Sequence, residues 1–222
     1  MALRALLLSA ALGAAAAQAG AQEEPPVRVD GAGTYLRPNV QLADGRTGFL
    51  HVRPEDMPWR IAVGTPPEPP KLGSRADARG AAIESMRLWE AAIRPHLPWF
   101  RLEFVEKDAD APVQVIWKRR IGGSFGGFGR QQARVIDGNL RVGGEMKVST
   151  TPDTFLTLTV DEVRLLVAHE FGHVLGLGHC LECDSAMNYA WHTRDRVLVT
   201  EIDVRTFLAL VAQPVLGAPD AR

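Results

Sequence analysis

His169-Glu170-Phe171-Gly172-His173-Val174-Leu175-Gly176-Leu177-Gly178-His179 gathers three of the chain's six histidines into one short run. On a helix, His169 and His173 stand at i and i+4, so both rings leave the same face and can share a tetrahedral ion. Gly176, three residues on, suits the positive φ that stops a helix and turns the chain, so that His179 returns to the same ion. Three neutral imidazoles leave a fourth position for water. That is the pattern of a catalytic zinc site; a structural site would fill the position with protein. Glu170 sits beside a ligand without being needed as one. A carboxylate held there can take a proton from water and pass it to a leaving amine. The plain alternative is a pair of surface histidines on an amphipathic helix. The glycine and the third histidine at the right offsets, after a capping box, weigh against it.

Working outward, Thr159 with Glu162 forms that capping box and opens the histidine helix. Before it, Ala133 to Ile136 and Leu140 to Val148, joined around Asp137-Gly138-Asn139, read as a hairpin. The glycine-rich stretch Ile121 to Gly129 lacks the Gly-Lys-Ser/Thr ending of a phosphate loop and reads as a mobile loop beside a site. Trp59 to Val63, Phe100 to Val105 and Val113 to Trp117 have the composition of short strands. A capping box at Ser74 and Asp77 opens a helix to about Arg94, and Ala82, Met86, Trp89 and Ile93 form its core stripe. Gly48 to Val52 is one further strand candidate, and Thr65 to Pro70 a stiff loop. A last amphipathic helix spans about Thr200 to Val211.

Composition sets the outer limits. The chain has 222 residues, 46% hydrophobic, with 25 Lys+Arg against 26 Asp+Glu and a net charge of -1. Phosphate neutralisation needs an excess of basic side chains, so nucleic acid is not an expected partner. Met1 to Ala21 reads as a secretory signal: Arg4 is the positive region, Ala5 to Ala17 the apolar run, and small residues mark the cleavage site. The run is too short and too rich in alanine for a membrane span, and no later stretch qualifies. The expected organisation is a signal at 1–21, an extension at 22–56, a catalytic domain at 57–213 and a tail at 214–222. The expected location is secreted or periplasmic. Oligomeric state is not legible.

The string His169 to His179 resembles the zinc signature of the metzincin metallopeptidases. Ser185-Ala186-Met187-Asn188-Tyr189 resembles their Met-turn, in which a methionine lies beneath the metal. The step from His179 to Met187, with Phe171-Gly172 and Leu175-Gly176-Leu177-Gly178 as fill-in, is similar to matrixins. Tyr189, two residues after the methionine, is placed as in astacins and serralysins, where the tyrosine binds zinc or stabilises the oxyanion. A buried hydrogen-bonded tyrosine is the other reading. The resemblance implies an α+β fold: a twisted mixed β-sheet with a long helix, an active-site helix, the Met-turn and a C-terminal helix. It also implies one catalytic zinc held by His169, His173 and His179, with Glu170 and Tyr189 as catalytic residues and a polypeptide substrate. Gln131 to Ile136 is the candidate edge strand that pairs with extended substrate. Trp191 is a candidate wall for side-chain preference, or a core residue.

The departures are informative. No cysteine precedes Cys180, so the propeptide cysteine that keeps matrixins latent has no counterpart. His51, His96 and His192 are scattered, so a second zinc cluster is not expected, and isolated Asp residues do not indicate calcium. Cys180 and Cys183 are the only thiols of an exported chain, and a local disulfide is the leading expectation. A redox-sensitive pair or an extra metal ligand are the alternatives. An exported zinc endopeptidase is the leading function. A secreted, non-catalytic binding module on the same scaffold is the alternative, and Glu170 argues against it because binding has no use for that carboxylate.

Overall fold

Parallel pairing dominates the sheet and fixes how the chain must travel. The computed structural model describes residues 25–41, 45–121, 126–136, 139–151, 156–189 and 199–215. The expected signal at 1–21, most of the tail and Trp191 lie outside these residues. In chain order the elements are β1 (Val40–Gln41), β2 (Thr47–Gly48), β3 (Trp59–Val63), α1 (Arg75–Ile93), β4 (Leu102–Val105) and β5 (Val113–Trp117). Then follow β6 (Gly127–Ile136), β7 (Asn139–Val148), α2 (Val160–Val174) and α3 (Glu201–Val211). Five strands form one mixed sheet in the order β4-β3-β5-β7-β6. β3 runs parallel to β4 and β5, and β5 parallel to β7. Parallel neighbours need crossovers, and α1 supplies the one from β3 to β4. Only β6 is antiparallel, joined to β7 in unbroken register from Gly127↔Val148 to Ile136↔Asn139. The fold is α+β, a five-stranded mixed sheet with three helices.

Both long helices begin as their sequences predict. The Ser74 hydroxyl accepts from Asp77 N–H while Ser74 N–H donates to the Asp77 carboxylate at 2.7 Å. Thr159 and Glu162 repeat the exchange on α2. Ala82, Met86, Trp89 and Ile93 are fully buried, as a stripe at helical spacing requires. Trp89 Nε1–H donates to the Ala168 carbonyl at 2.9 Å, tying α1 to the middle of α2. Trp59 Nε1–H donates to the Val142 carbonyl at 2.9 Å, tying β3 to β7. A buried indole needs such a partner, because a stranded donor costs about 1–3 kcal/mol.

Two expected elements differ. The strand sought at Gly48 to Val52 is only Thr47–Gly48, paired with Val40–Gln41. Beyond it, Leu50 N–H and C=O are both engaged by the Asn39 side chain at 2.8 Å, so they are not available to a ladder. The glycine-rich stretch, read as a loop, is already strand by Gly127. A strand fits there because Gly127 and Gly129 carry no side chain on the face that meets α2, where a Cβ would strike Leu166 and Glu170. The segment before β3 packs into the body of the fold. Tyr35, Leu50 and Val52 belong to the same buried cluster as Trp59 and Phe171. Among the described residues no helix is long and apolar enough to cross a membrane.

Candidate metal centre

α2 delivers His169 and His173 one turn apart, and the chain then leaves the helix by a tight turn. Gly176 has φ 95°. Gly176 N–H donates to the His173 carbonyl and Leu177 N–H to the Gly172 carbonyl, each at 3.0 Å. This is the paired 5→2 and 6→1 closure of a Schellman motif, and it needs glycine at its left-handed position. His179 comes back within reach of the other two rings. The three Nε2 atoms stand 3.1, 3.2 and 3.2 Å apart.

Those distances test whether an ion fits. Three nitrogens bound to one tetrahedral zinc at roughly 2.0–2.1 Å stand about 3.3 Å from each other. The observed triangle is close to that. The outer nitrogens are prepared as well. His169 Nδ1–H donates to the Ala186 carbonyl at 2.7 Å, and His173 Nδ1–H to the Leu177 carbonyl at 2.8 Å. Each bond fixes the tautomer and leaves the Nε2 lone pair facing inward. Burial pushes the His173 ring down to about 3, with smaller contributions from His179 and Arg37, so it is neutral and able to ligate. Among the described residues these three make the only group of ligand side chains close enough to hold an ion.

Glu170 is 5% exposed and lies between the histidines and β6. Burial lifts its carboxyl from 4.5 to about 8 in the ion-free chain, opposed by a hydrogen bond from Gly129 N–H. β6 is an edge of the sheet, and its free side can be worked out. Gly144 pairs with Gln131, yet Gly144 N–H donates to Pro112, away from β6. Partners in an antiparallel pair exchange both bonds or neither. Gln131 therefore turns its N–H and C=O outward, and alternation gives Gly127, Gly129 and Ala133 the same orientation. The Gly129 bond to Glu170 agrees with this.

The Met-turn lies below. Met187 is fully buried, and a Cβ on Gly172 would overlap its Sδ and stand 3.0 Å from its Cε. Ser185 Oγ–H donates to Asp203 at 2.8 Å and Tyr35 O–H donates to the same oxygen at 2.7 Å. That buried cluster joins the Met-turn to α3 and to the N-terminal segment. Cys180 and Cys183 are joined by a disulfide, as the leading expectation had it. Cys180 N–H donates to the Met187 carbonyl at 2.8 Å, and Tyr189 N–H to the Cys180 carbonyl at 3.0 Å.

These features decide the family question. The Matrixin family model matches residues 18–210. The chain belongs to the matrixin family. It is thus a member of a family of zinc metalloendopeptidases, and it retains the family's histidine triad. A comparison with curated proteins finds no significant match.

For a matrixin, most of the expected site residues meet where the sequence put them. His169, His173, His179 and Glu170 are adjacent. Tyr189 is 45% exposed, with its ring edge-on to His179 at 5.4 Å between centroids, so it is not the buried tyrosine of the alternative reading. Sequence reasoning missed Gly127 and Gly129 as the seat of Glu170, although their two-residue spacing is the period of a strand face. It also missed Asn39, Tyr35 and Asp203, which come from distant parts of the chain and carry no local signal.

Proposed function

We propose that this matrixin is an exported endopeptidase in which His169, His173 and His179 hold one zinc and Glu170 is the general base. The observation that carries the reading is the convergence of three Nε2 atoms beside a buried carboxylate, under a strand edge whose N–H and C=O groups face outward. When bound, zinc would supply a Lewis acid that acidifies water and polarises the scissile carbonyl. The chain's own residues do the rest. An extended peptide adds to β6 through Gly127, Gln131 and Ala133, while Glu170 holds the Gly129 N–H, so backbone hydrogen bonds position the substrate with little regard to its side chains. Glu170 takes a proton from water and returns it to the leaving amine. Its high carboxyl value without an ion favours proton retention, and a nearby cation would lower it toward the working range.

Tyr189 is proposed as a hydroxyl donor to the developing oxyanion or as an extra ligand, supported by its place against the His179 ring. Export is supported by the N-terminal pattern and by the Cys180–Cys183 disulfide, which suits an oxidising compartment. The deciding experiment is Glu170→Ala. The variant should bind zinc as the wild type does while losing roughly 10²–10⁴-fold in turnover of a peptide library. Equal cleavage by the variant would remove Glu170 from the mechanism. A wild type that binds zinc and cleaves nothing would favour the non-catalytic binding module.

A further inference from the structure

The segment from Pro25 to Gln41 runs along the loop that carries the third imidazole. Val27 N–H donates to the His179 carbonyl at 2.9 Å, and Leu181 N–H donates back to the Val27 carbonyl at 3.0 Å. Arg28 pairs with Glu182 at 2.8 Å. Arg37 lies so close to Gly178 that a Cβ there would stand 2.6 Å from its Nε and 2.9 Å from its Cζ. Asn39 is the junction. Its Nδ2 lies 3.1 Å from the Gly176 carbonyl and 3.3 Å from Gln131 Oε1 on β6, and the Leu50 backbone fixes the amide from behind.

We propose that Asn39 is a positioning residue for both the metal loop and the substrate-facing strand, and that residues 25–41 form a fixed clamp on that loop. α2 holds His169 and His173 by helix geometry, but His179 stands beyond the Gly176 turn, where the helix no longer sets its position. The carbonyls of Gly176 and His179 receive donors from the N-terminal segment instead. Asn39 also reaches Gln131, so the strand that would pair with substrate and the loop that would hold zinc share one side chain. A segment with this role belongs to the working enzyme; it is not a propeptide to be cut away. The amide is specific to the task. Asn39→Asp keeps the shape but sets an acceptor oxygen against the backbone carbonyls of Leu50 and Gly176, so those two contacts become repulsive.

The inference rests on the proposed zinc ligands, and its test reads zinc affinity directly, by competition with a chromogenic chelator in the full chain. Val27→Pro deletes one N–H at the His179 carbonyl and keeps an apolar side chain. It and Asn39→Asp should each weaken zinc binding about 10-fold, the low end for residues that support ligands from behind. Gln131→Ala should raise KM more than it lowers kcat and hold zinc as the wild type does, a split that general loss of stability would not give. If Asn39→Asp does not fold, Val27→Pro decides the loop contact and Gln131→Ala the strand contact. Zinc affinity within twofold of wild type in Val27→Pro would overturn the clamp, and unchanged KM in Gln131→Ala would overturn the link to β6. A wild-type chain that bound no zinc would overturn the ligand assignment along with the clamp.

Discussion

Gly129 is where a single added carbon should separate chemistry from metal binding. Its N–H reaches the Glu170 carboxylate, and its Cα faces the Glu170 backbone. A Cβ built at this position lies 2.8 Å from the Glu170 carbonyl carbon and 3.0 Å from its Cα, and overlaps the carbonyl oxygen. These are backbone atoms of α2, not the end of a flexible side chain, so rotamer changes cannot relieve the clash. In Gly129→Ala, β6 and α2 must part by about 1 Å, and a displacement of that size at reacting groups costs on the order of 10²-fold in rate. Overpacking should also cost about 1–3 kcal/mol of stability. The three histidines project from α2 and its following loop, so zinc content should stay at the wild-type level. The assay is kcat and KM on a cleaved peptide, with metal analysis and denaturant unfolding on the same preparation. Wild-type kcat/KM with alanine at 129 would show that the substrate does not use this edge. Loss of zinc in step with activity would show that β6 supports the three histidines rather than Glu170.

Other outcomes follow from the buried groups. In the ion-free chain, His173 resists protonation to about pH 3 while an unfolded histidine takes up its proton near 6.5, so stability falls as pH drops below 6.5. Glu170 keeps its proton to about pH 8 while an unfolded glutamate releases it near 4.5, so stability also falls as pH rises above 4.5. Denaturant midpoints of chelator-treated protein should therefore be highest between those two pH values; a climb that continues to pH 8 would contradict the Glu170 assignment, and no fall on acidification below pH 4.5 would contradict the His173 one. Tyr35→Phe removes one donor from the buried Asp203 carboxylate and should cost about 1–3 kcal/mol in unfolding; no change would mean that the Met-turn does not depend on this bond. Replacing Cys180 and Cys183 by serine opens a short covalent loop and should cost roughly 2 kcal/mol. If instead the double variant unfolds at the wild-type denaturant concentration, hydrogen bonds alone hold that turn.

Much of this was legible because the relevant signals are local. The capping boxes at Ser74 and Thr159 each span four residues, and the His169 to His179 spacing specifies its own helix, turn and return. Gly176 announced the turn for the same reason. What stayed hidden was non-local. Nothing near Asn39 in the sequence indicates that its amide meets Gly176 and Gln131, because those contacts exist only once the N-terminal segment has wrapped the finished domain. Tyr35 and Asp203 likewise become partners through packing. The glycines of β6 misled in the opposite direction. Glycine usually marks a loop, but here it marks a strand pressed against a helix backbone, and only the helix reveals which.

The Schellman turn after α2 also bears on how the centre comes together in time. All three imidazoles lie between residues 169 and 179, so gathering them closes a loop of about ten residues, at an entropic cost on the order of 2 kcal/mol. The sheet above demands longer closures, since β3 must find β5 across α1 and β4, and β5 must find β7 across β6. Long-range strand pairing is the slow part of such folds. An ion that meets the nascent chain thus has a compact, sequence-local trap that does not wait for the sheet. Capture at that stage would fix α2 and its turn as a template on which β6 and the N-terminal segment later settle.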